Sequence, residues 1–203
     1  MTTWNRERLA SLESDGWLIT RIRNGDLEAL GELYERHKML VYRTALAITR
    51  DERAAEDILQ DTFLRVYTYA DRIDVNVPLG PWLYRVTVNL AYSWTNRVKR
   101  WWHYLQDTLD RLVSPQQRLP ETMAEEQEWR QMLQQAIDGL SPSHRVVIIL
   151  YYLEGLSLKE IAYVTGVPEG TVKSRLHYAR QNLREAVLER ERRLVPEVAY
   201  DFT

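Results

Sequence analysis

The stretch Ser157-Leu158-Lys159-Glu160-Ile161-Ala162-Tyr163-Val164-Thr165-Gly166-Val167-Pro168-Glu169-Gly170-Thr171-Val172-Lys173-Ser174-Arg175-Leu176 decides the fold. In its first four residues the serine hydroxyl can accept the N–H three positions on, while Glu160 reaches back to the N–H of Ser157. That capping box starts a short helix. Gly166-Val167-Pro168 stops the helix after two turns, and another begins at once. Two helices joined so tightly have the spacing of a helix-turn-helix, although a plain helical hairpin carries the same caps and glycine. On the second helix Val172, Leu176, Ala179 and Leu183 share a narrow arc that faces a core. The opposite arc holds Ser174, His177, Tyr178 and Gln181, flanked by Lys173, Arg175, Arg180 and Arg184. Such a face suits a DNA major groove, with the cations on phosphates and the central side chains on base edges; a solvated basic helix is the plainer alternative.

Working outward, apolar residues recur at helical spacing nearly everywhere, and no stretch alternates with period two for long. An all-α fold follows. Asp15 is placed to cap a short helix over Trp17 to Arg23, ended by Gly25. Asp26 caps a long helix to about Thr49 whose main apolar positions are Leu27, Leu30, Leu33, Tyr34, Val41 and Leu46, and Asp51 caps a third to about Tyr69. Pro81 suits the first turn of a fourth helix to about Leu105, where its missing N–H leaves nothing unpaired. Ser114-Pro115 and Leu119-Pro120 then break helical geometry. Residues 106–124 read as a linker between two small helical domains, 1–105 and 125–193. In the second, helices run over Ala124 to Leu140, Ser143 to Glu154, Ser157 to Thr165 and Glu169 to about Arg193. Residues 194–203 read as a tail.

On the fourth helix, Leu83, Val86, Leu90, Trp94, Trp101 and Leu105 form the arc expected to be core. The opposite arc carries Arg85, Asn89, Tyr92, Asn96, Lys99, Arg100 and His103. Cations, amides and an aromatic on one face suit a single nucleic-acid strand, because stacking on a ring contributes ~1–3 kcal/mol per base whatever its identity. Trp82 and Trp102 are equally compatible with packing and with an exposed role.

Composition sets the outer limits. At 203 residues the chain has room for one large domain or two small ones, and 28% charged with 45% hydrophobic residues is a globular balance. Eight Gly and seven Pro are too few for a turn-rich β-sandwich. The absence of cysteine excludes a disulfide scaffold, a thiolate zinc site and a Cys nucleophile, and fits a reducing cytoplasm. No apolar run approaches the ~20 residues of a membrane span, and Met1 to Glu7 lacks the apolar core of a signal peptide. A soluble cytoplasmic protein is expected. The net charge of −2 conceals segregation: Arg85, Arg97, Lys99 and Arg100 lie in a stretch without acids, whereas Asp51 to Asp61 holds five acids against Arg53. Two surfaces of opposite sign imply two partners.

These segments together resemble the extracytoplasmic-function (ECF) group of bacterial RNA polymerase sigma factors. Asp57-Ile58-Leu59-Gln60-Asp61-Thr62-Phe63-Leu64 is similar to that family's core-polymerase-binding helix. Pro81-Trp82-Leu83-Tyr84-Arg85-Val86 with Asn89-Leu90-Ala91 resembles its -10 recognition helix, and Gly170-Thr171-Val172-Lys173-Ser174-Arg175-Leu176 its -35 helix. The likeness spans about Leu18 to Leu188 in the family's order, with Ser93 where the family often has Asp. It implies core-polymerase binding by Asp57, Gln60, Asp61 and Leu64, and -10 DNA binding by Trp82, Arg85, Asn89, Asn96, Lys99 and Arg100. It further implies -35 DNA binding by Thr171, Lys173, Ser174, Arg175, His177, Tyr178 and Arg180. The loop from Tyr69 to Gly80 would capture a base flipped from the opened strand, and an anti-sigma factor is a further expected partner. The implied role is transcription initiation through promoter recognition and melting, with no catalytic residue, cofactor or metal.

Rival readings come from two other classes. An enzyme needs a reactive cluster, yet His37, His103, His144 and His177 are scattered and no HExxH or glycine-rich phosphate loop occurs. Asp57 and Asp61, four apart, could in principle share a divalent metal, but an acidic partner-binding face is the stronger reading. The nearer rival is a helix-turn-helix transcriptional regulator that is no polymerase subunit. It would bind duplex DNA unaided, whereas a sigma factor would need core enzyme.

Overall fold

Helices beginning at Leu27, Glu52, Pro142 and Leu158 each start where a side chain takes up unpaired amide groups. The computed structural model describes residues 15–109, 135–137 and 139–194, without the side chains of 98–109, 187 and 189–194. All regular structure among the described residues is helical. Helix α1 covers residues 15–23. It is followed by α2 (Leu27–Thr49), α3 (Glu52–Thr68), a 3₁₀ turn (Ala70–Arg72) and α4 (Leu79–Leu109). The C-terminal half contains α5 (Pro142–Ile148), which runs on through a π turn (Ile149–Leu153), then α6 (Leu158–Thr165) and α7 (Glu169–Leu194).

The caps expected at Asp26, Asp51 and Ser157 are in place. The Asp26 carboxylate accepts from the N–H groups of Glu28 and Ala29, and that of Asp51 from Ala54. At α6 the Glu160 carboxylate accepts from the Ser157 N–H at 2.9 Å, completing the capping box, and Gly166 ends the helix with φ 68°. Left-handed backbone at that point favours glycine because no Cβ has to be accommodated.

Asp15 behaves differently from the expectation. It is already helical, and its buried carboxylate binds Arg36 and His37 of α2 instead of capping α1. Helix α4 runs to Leu109, four residues into the span expected as a linker. The remainder of that span, 110–124, the expected helical start from Ala124 to 134, and tail residues 195–203 lie outside the described residues.

Two apolar clusters hold the helices together. The first joins Leu18, Ile19 and Ile22 of α1 with Leu33 and Val41 of α2, Phe63 and Val66 of α3, and Leu79 and Leu83 of α4. The second is shared by the two halves of the chain. It packs Ala45 and Ile48 of α2, Ile58 of α3, and Tyr84, Val88 and Ala91 of α4 against Val146–Leu150, Ile161, Val164, Val172, Leu176 and Ala179. Fully burying a side chain of this size contributes roughly 1.5–3 kcal/mol, so the second cluster is a substantial joint. Buried Thr44, Thr62 and Thr87 satisfy their hydroxyls on the carbonyls four residues back. Leu27, an expected apolar position, is instead 63% exposed at the first turn of α2.

The connection between α3 and α4 is fastened to α1. Arg23 donates to the carbonyls of Ala70, at 3.0 Å, and Ile73. Gly16 lies so close to the same loop that a Cβ there would stand 2.5 Å from the Val75 carbonyl oxygen.

Candidate nucleic-acid and polymerase interfaces

The acidic face of α3 is built by its own periodicity. Ala54, Ala55, Ile58, Thr62, Phe63 and Val66 are buried, which turns Asp57, Gln60, Asp61 and Leu64 outward as one row. All four are exposed, Leu64 to 61%, and an apolar side chain set among carboxylates is what a basic surface with one apolar socket would accept. Among the described residues no three His, Asp or Glu side chains converge as a metal site would require.

On α7 the expected division of faces is present. Val172, Leu176 and Ala179 are buried, while Lys173, Ser174, His177, Tyr178 and Arg180 are exposed. Thr171 and Arg175 are half-buried. Sequence reasoning missed the aromatic surround of this face. The Arg180 guanidinium stands 5.5 Å from the ring centres of both Tyr151 and Tyr152, and its Nε donates to the Tyr152 hydroxyl at 2.8 Å. Tyr178 stacks on His144 at 6.4 Å and meets His177 edge-on. Tyr151-Tyr152, next to a helical apolar run, was the only available signal.

The expected arcs of α4 need correction. Among its described side chains the buried positions are Leu79, Leu83, Tyr84, Thr87, Val88 and Ala91, whereas Val86, Leu90 and Trp94 are only half-buried. The core arc is rotated by roughly a quarter turn because α4 packs on both clusters instead of one. Tyr92, expected outward, is half-buried and donates its hydroxyl to the Pro142 carbonyl at 3.3 Å. Burial pushes its phenol pKa up, with the Arg175 charge pulling the other way, and its ring packs against the cluster that holds Leu176 of α7. Among the -10 candidates, Arg85, Asn89 and Asn96 are exposed, and Arg85 lies 5.2 Å above the Tyr163 ring. Trp82 packs, partly buried, against the first cluster. The side chains of Lys99, Arg100, Trp101, Trp102 and His103 lie outside the described residues.

The 69–80 loop forms one wall of a cavity of about 450 Å³. Arg72, Val77, Pro78, Leu79 and Trp82 face Lys159, Glu160 and Tyr163 of α6 across it. Asp74 accepts from both nitrogens of Asn76, which closes the loop locally.

Residues 33–101 match the family model for Sigma-70 region 2, and residues 130–183 that for Sigma-70 region 4. The ECF RNA polymerase sigma factor SigW of Bacillus subtilis is 32% identical over 175 residues, covering 82% of this chain and 93% of that one. The chain belongs to the ECF sigma factors of RNA polymerase. Another relative of this sigma factor is SigL of Mycobacterium tuberculosis, also an ECF RNA polymerase sigma factor, 37% identical over 153 residues, 75% of this chain and 85% of the relative. Among solved structures, the sigma factor RpoE in complex with the anti-sigma factor NepR, from Bartonella quintana, superposes with a TM-score of 0.60 at 25% identity. It covers 77% of this chain and 95% of that one. CnrH, solved with the cytosolic domain of CnrY, has a TM-score of 0.61 at 22% identity, covering 87% and 97%, and shares the fold. Region 2 of this sigma factor takes in most of α2, all of α3 and most of α4. Region 4 takes in α5, α6 and the first part of α7. A sigma factor is thereby favoured over a free-standing helix-turn-helix regulator, and among the described residues no helix is long and apolar enough to cross a membrane.

Proposed function

We propose that this sigma factor docks on core polymerase through Asp57, Gln60, Asp61 and Leu64, and reads promoters with two separate helices. On α4, Arg85, Asn89, Asn96, Lys99 and Arg100 line a path for the opened -10 strand, with Trp82 at its start and the 69–80 loop accepting an extruded base. On α7, Lys173, Arg175 and Arg180 hold phosphates while Ser174, His177 and Tyr178 reach base edges of the -35 duplex, with Thr171 at the helix entrance. The working division is 1–105 for polymerase and -10 contacts, 106–124 as connection and 125–193 for the -35 element. Its place of action is the cytoplasm, where polymerase and promoter are found. The anti-sigma factor NepR bound to RpoE of Bartonella quintana supports a regulatory partner of that class here.

The observation that carries this reading is the opposition of two surfaces. An uncovered acidic row on α3 and an uncovered cationic, hydrogen-bonding face on α7 belong to matched regions 2 and 4 of one chain. The mechanism is recruitment. Separating stacked base pairs costs ~1.4 kcal/mol per step, which capture of unpaired bases and polymerase contacts must offset. In vitro transcription with bacterial core polymerase on a promoter library tests it: transcripts should depend on this protein and start downstream of one shared pair of elements. Binding to duplex DNA without polymerase, and no transcripts with it, would overturn the proposal.

A further inference from the structure

The Arg180 guanidinium is held in place by neutral groups. Its Nε donates to the Tyr152 hydroxyl at 2.8 Å, and the ring centres of Tyr151 and Tyr152 each stand 5.5 Å from its central carbon. The two rings meet edge to face, 5.0 Å apart at 79°. Tyr151 is half-buried and packs on the second cluster, so it anchors Tyr152, which is itself 60% exposed. Both tyrosines belong to the π turn Ile149–Leu153, and π turns recur at functional sites.

Among the described residues no carboxylate pairs with Arg180. A carboxylate partner would fix the arginine but cancel its charge, and an incoming anion would have to displace it. A phenol hydroxyl and two rings fix the guanidinium and leave the positive charge intact. With Nε committed sideways to Tyr152, the four N–H groups on Nη1 and Nη2 remain, in the end-on fork that suits two oxygens of one phosphate. The Tyr152 hydroxyl accepts in its bond to Nε, so its own proton is left to donate beside that fork. Arg180 and Lys173, seven positions apart, share one flank of α7, and both are exposed.

We propose that Tyr152 and Arg180 together form a preset phosphodiester site of the -35 interface: the hydroxyl fixes the guanidinium through Nε and donates its own proton to the phosphate that the Nη fork grips. Tyr151 is the floor of the site, and Tyr152 is a DNA-contacting side chain supplied from outside the recognition helix. The inference rests on the -35 role proposed above for α7. It gives that helix a backbone anchor whose geometry is selected before DNA arrives, which favours register without reading sequence.

Holoenzyme made from the full-length protein and bacterial core polymerase, titrated on promoters recovered from the library, tests the site. Tyr152→Phe keeps the ring and removes only the hydroxyl. It should lower affinity about fivefold on every promoter and leave the salt slope unchanged, because no charge is lost. Arg180→Ala should lower affinity and also reduce the slope by about one. The loss in the double variant should fall well short of the product of the two single losses, as for side chains that share one ligand. Neutral methylphosphonates placed singly along the -35 backbone should reveal one position at which wild type and Tyr152→Phe bind alike, which a merely structural tyrosine would not produce. Unchanged affinity of Tyr152→Phe, an altered base preference, or fully multiplicative losses overturns the site while leaving the -35 role of α7 intact. Undiminished affinity and slope with Arg180→Ala overturns the phosphate role of α7 and this site with it, as does a library that yields no promoter.

Discussion

Asp61 and Glu154 carry the same charge, but one stands in water on α3 and the other is enclosed between α2 and α4. Charge reversal therefore has different consequences at the two positions. Asp61→Lys should weaken binding to core polymerase with the fold intact, because exposed substitutions seldom change stability by more than ~0.5 kcal/mol. Equal affinity of wild type and variant in a pull-down titration would remove α3 from the interface. Tyr84 belongs to the enclosed group: burial first, then its hydrogen bond to Glu154, push its phenol pKa well above the ordinary value of 10.0. Tyr84→Phe should cost about 1.5–3 kcal/mol near neutrality, as loss of a hydrogen bond to a charged group does. A pKa raised by folding gives stability that is complete below the ordinary phenol value and drains away above it. The deficit of Tyr84→Phe in urea denaturation should thus stay constant up to about pH 10 and shrink at higher pH; an undiminished deficit at pH 11 would contradict this assignment.

Helix starts were legible because a cap is a local contract: Asp26, Asp51 and Ser157 each need only the next two or three amide groups. Asp15 has the same chemistry, but a distant Arg36 and His37 claim its carboxylate, which no local pattern announces. The same limit explains α4. Periodicity along one helix assigns it a single core face, whereas two clusters claim it from different sides and turn Tyr92 inward. The α7 face was readable since Val172, Leu176 and Ala179 pack on one side only, yet the tyrosines that hold Arg180 come from another element. At this scale Arg175→Ala should weaken DNA binding by the holoenzyme across all sequences and lower its salt slope, while His177→Ala should change which bases are preferred. Selection of bound promoters from a random pool checks both; altered base preference with Arg175→Ala would reverse the sorting of the face. On α4, replacing Asn89 and Lys99 together with Ala should leave recruitment to polymerase intact but reduce permanganate reactivity of unpaired thymines. Undiminished reactivity on an intact duplex would exclude that pair from strand capture.

For the molecule as a whole, the shared second cluster means that the two halves should unfold together. Leu150 is fully buried in that cluster, and Leu150→Ala should cost about 2–5 kcal/mol. Calorimetry should register the loss as a downward shift of a single transition; two separate transitions in the wild type would show that the halves are thermodynamically independent. The proline-bearing stretch expected to divide the chain lies outside the described residues, and contact between the parts on either side of it was not legible, because it depends on pairs such as Arg43 and Glu154 more than a hundred residues apart. The loop proposed to receive an extruded base has a similarly remote support. Gly16 lets α1 press on the carbonyl of Val75, and Arg23 holds the carbonyls of Ala70 and Ile73, so the shape of the loop is set from behind by a helix that stands outside the matched region 2. If the loop receives an extruded base as proposed, promoter preference is open to retuning by inheritance or by engineering from α1: enlarging Gly16 would displace the loop and alter which base it admits, leaving every candidate DNA-facing side chain unchanged.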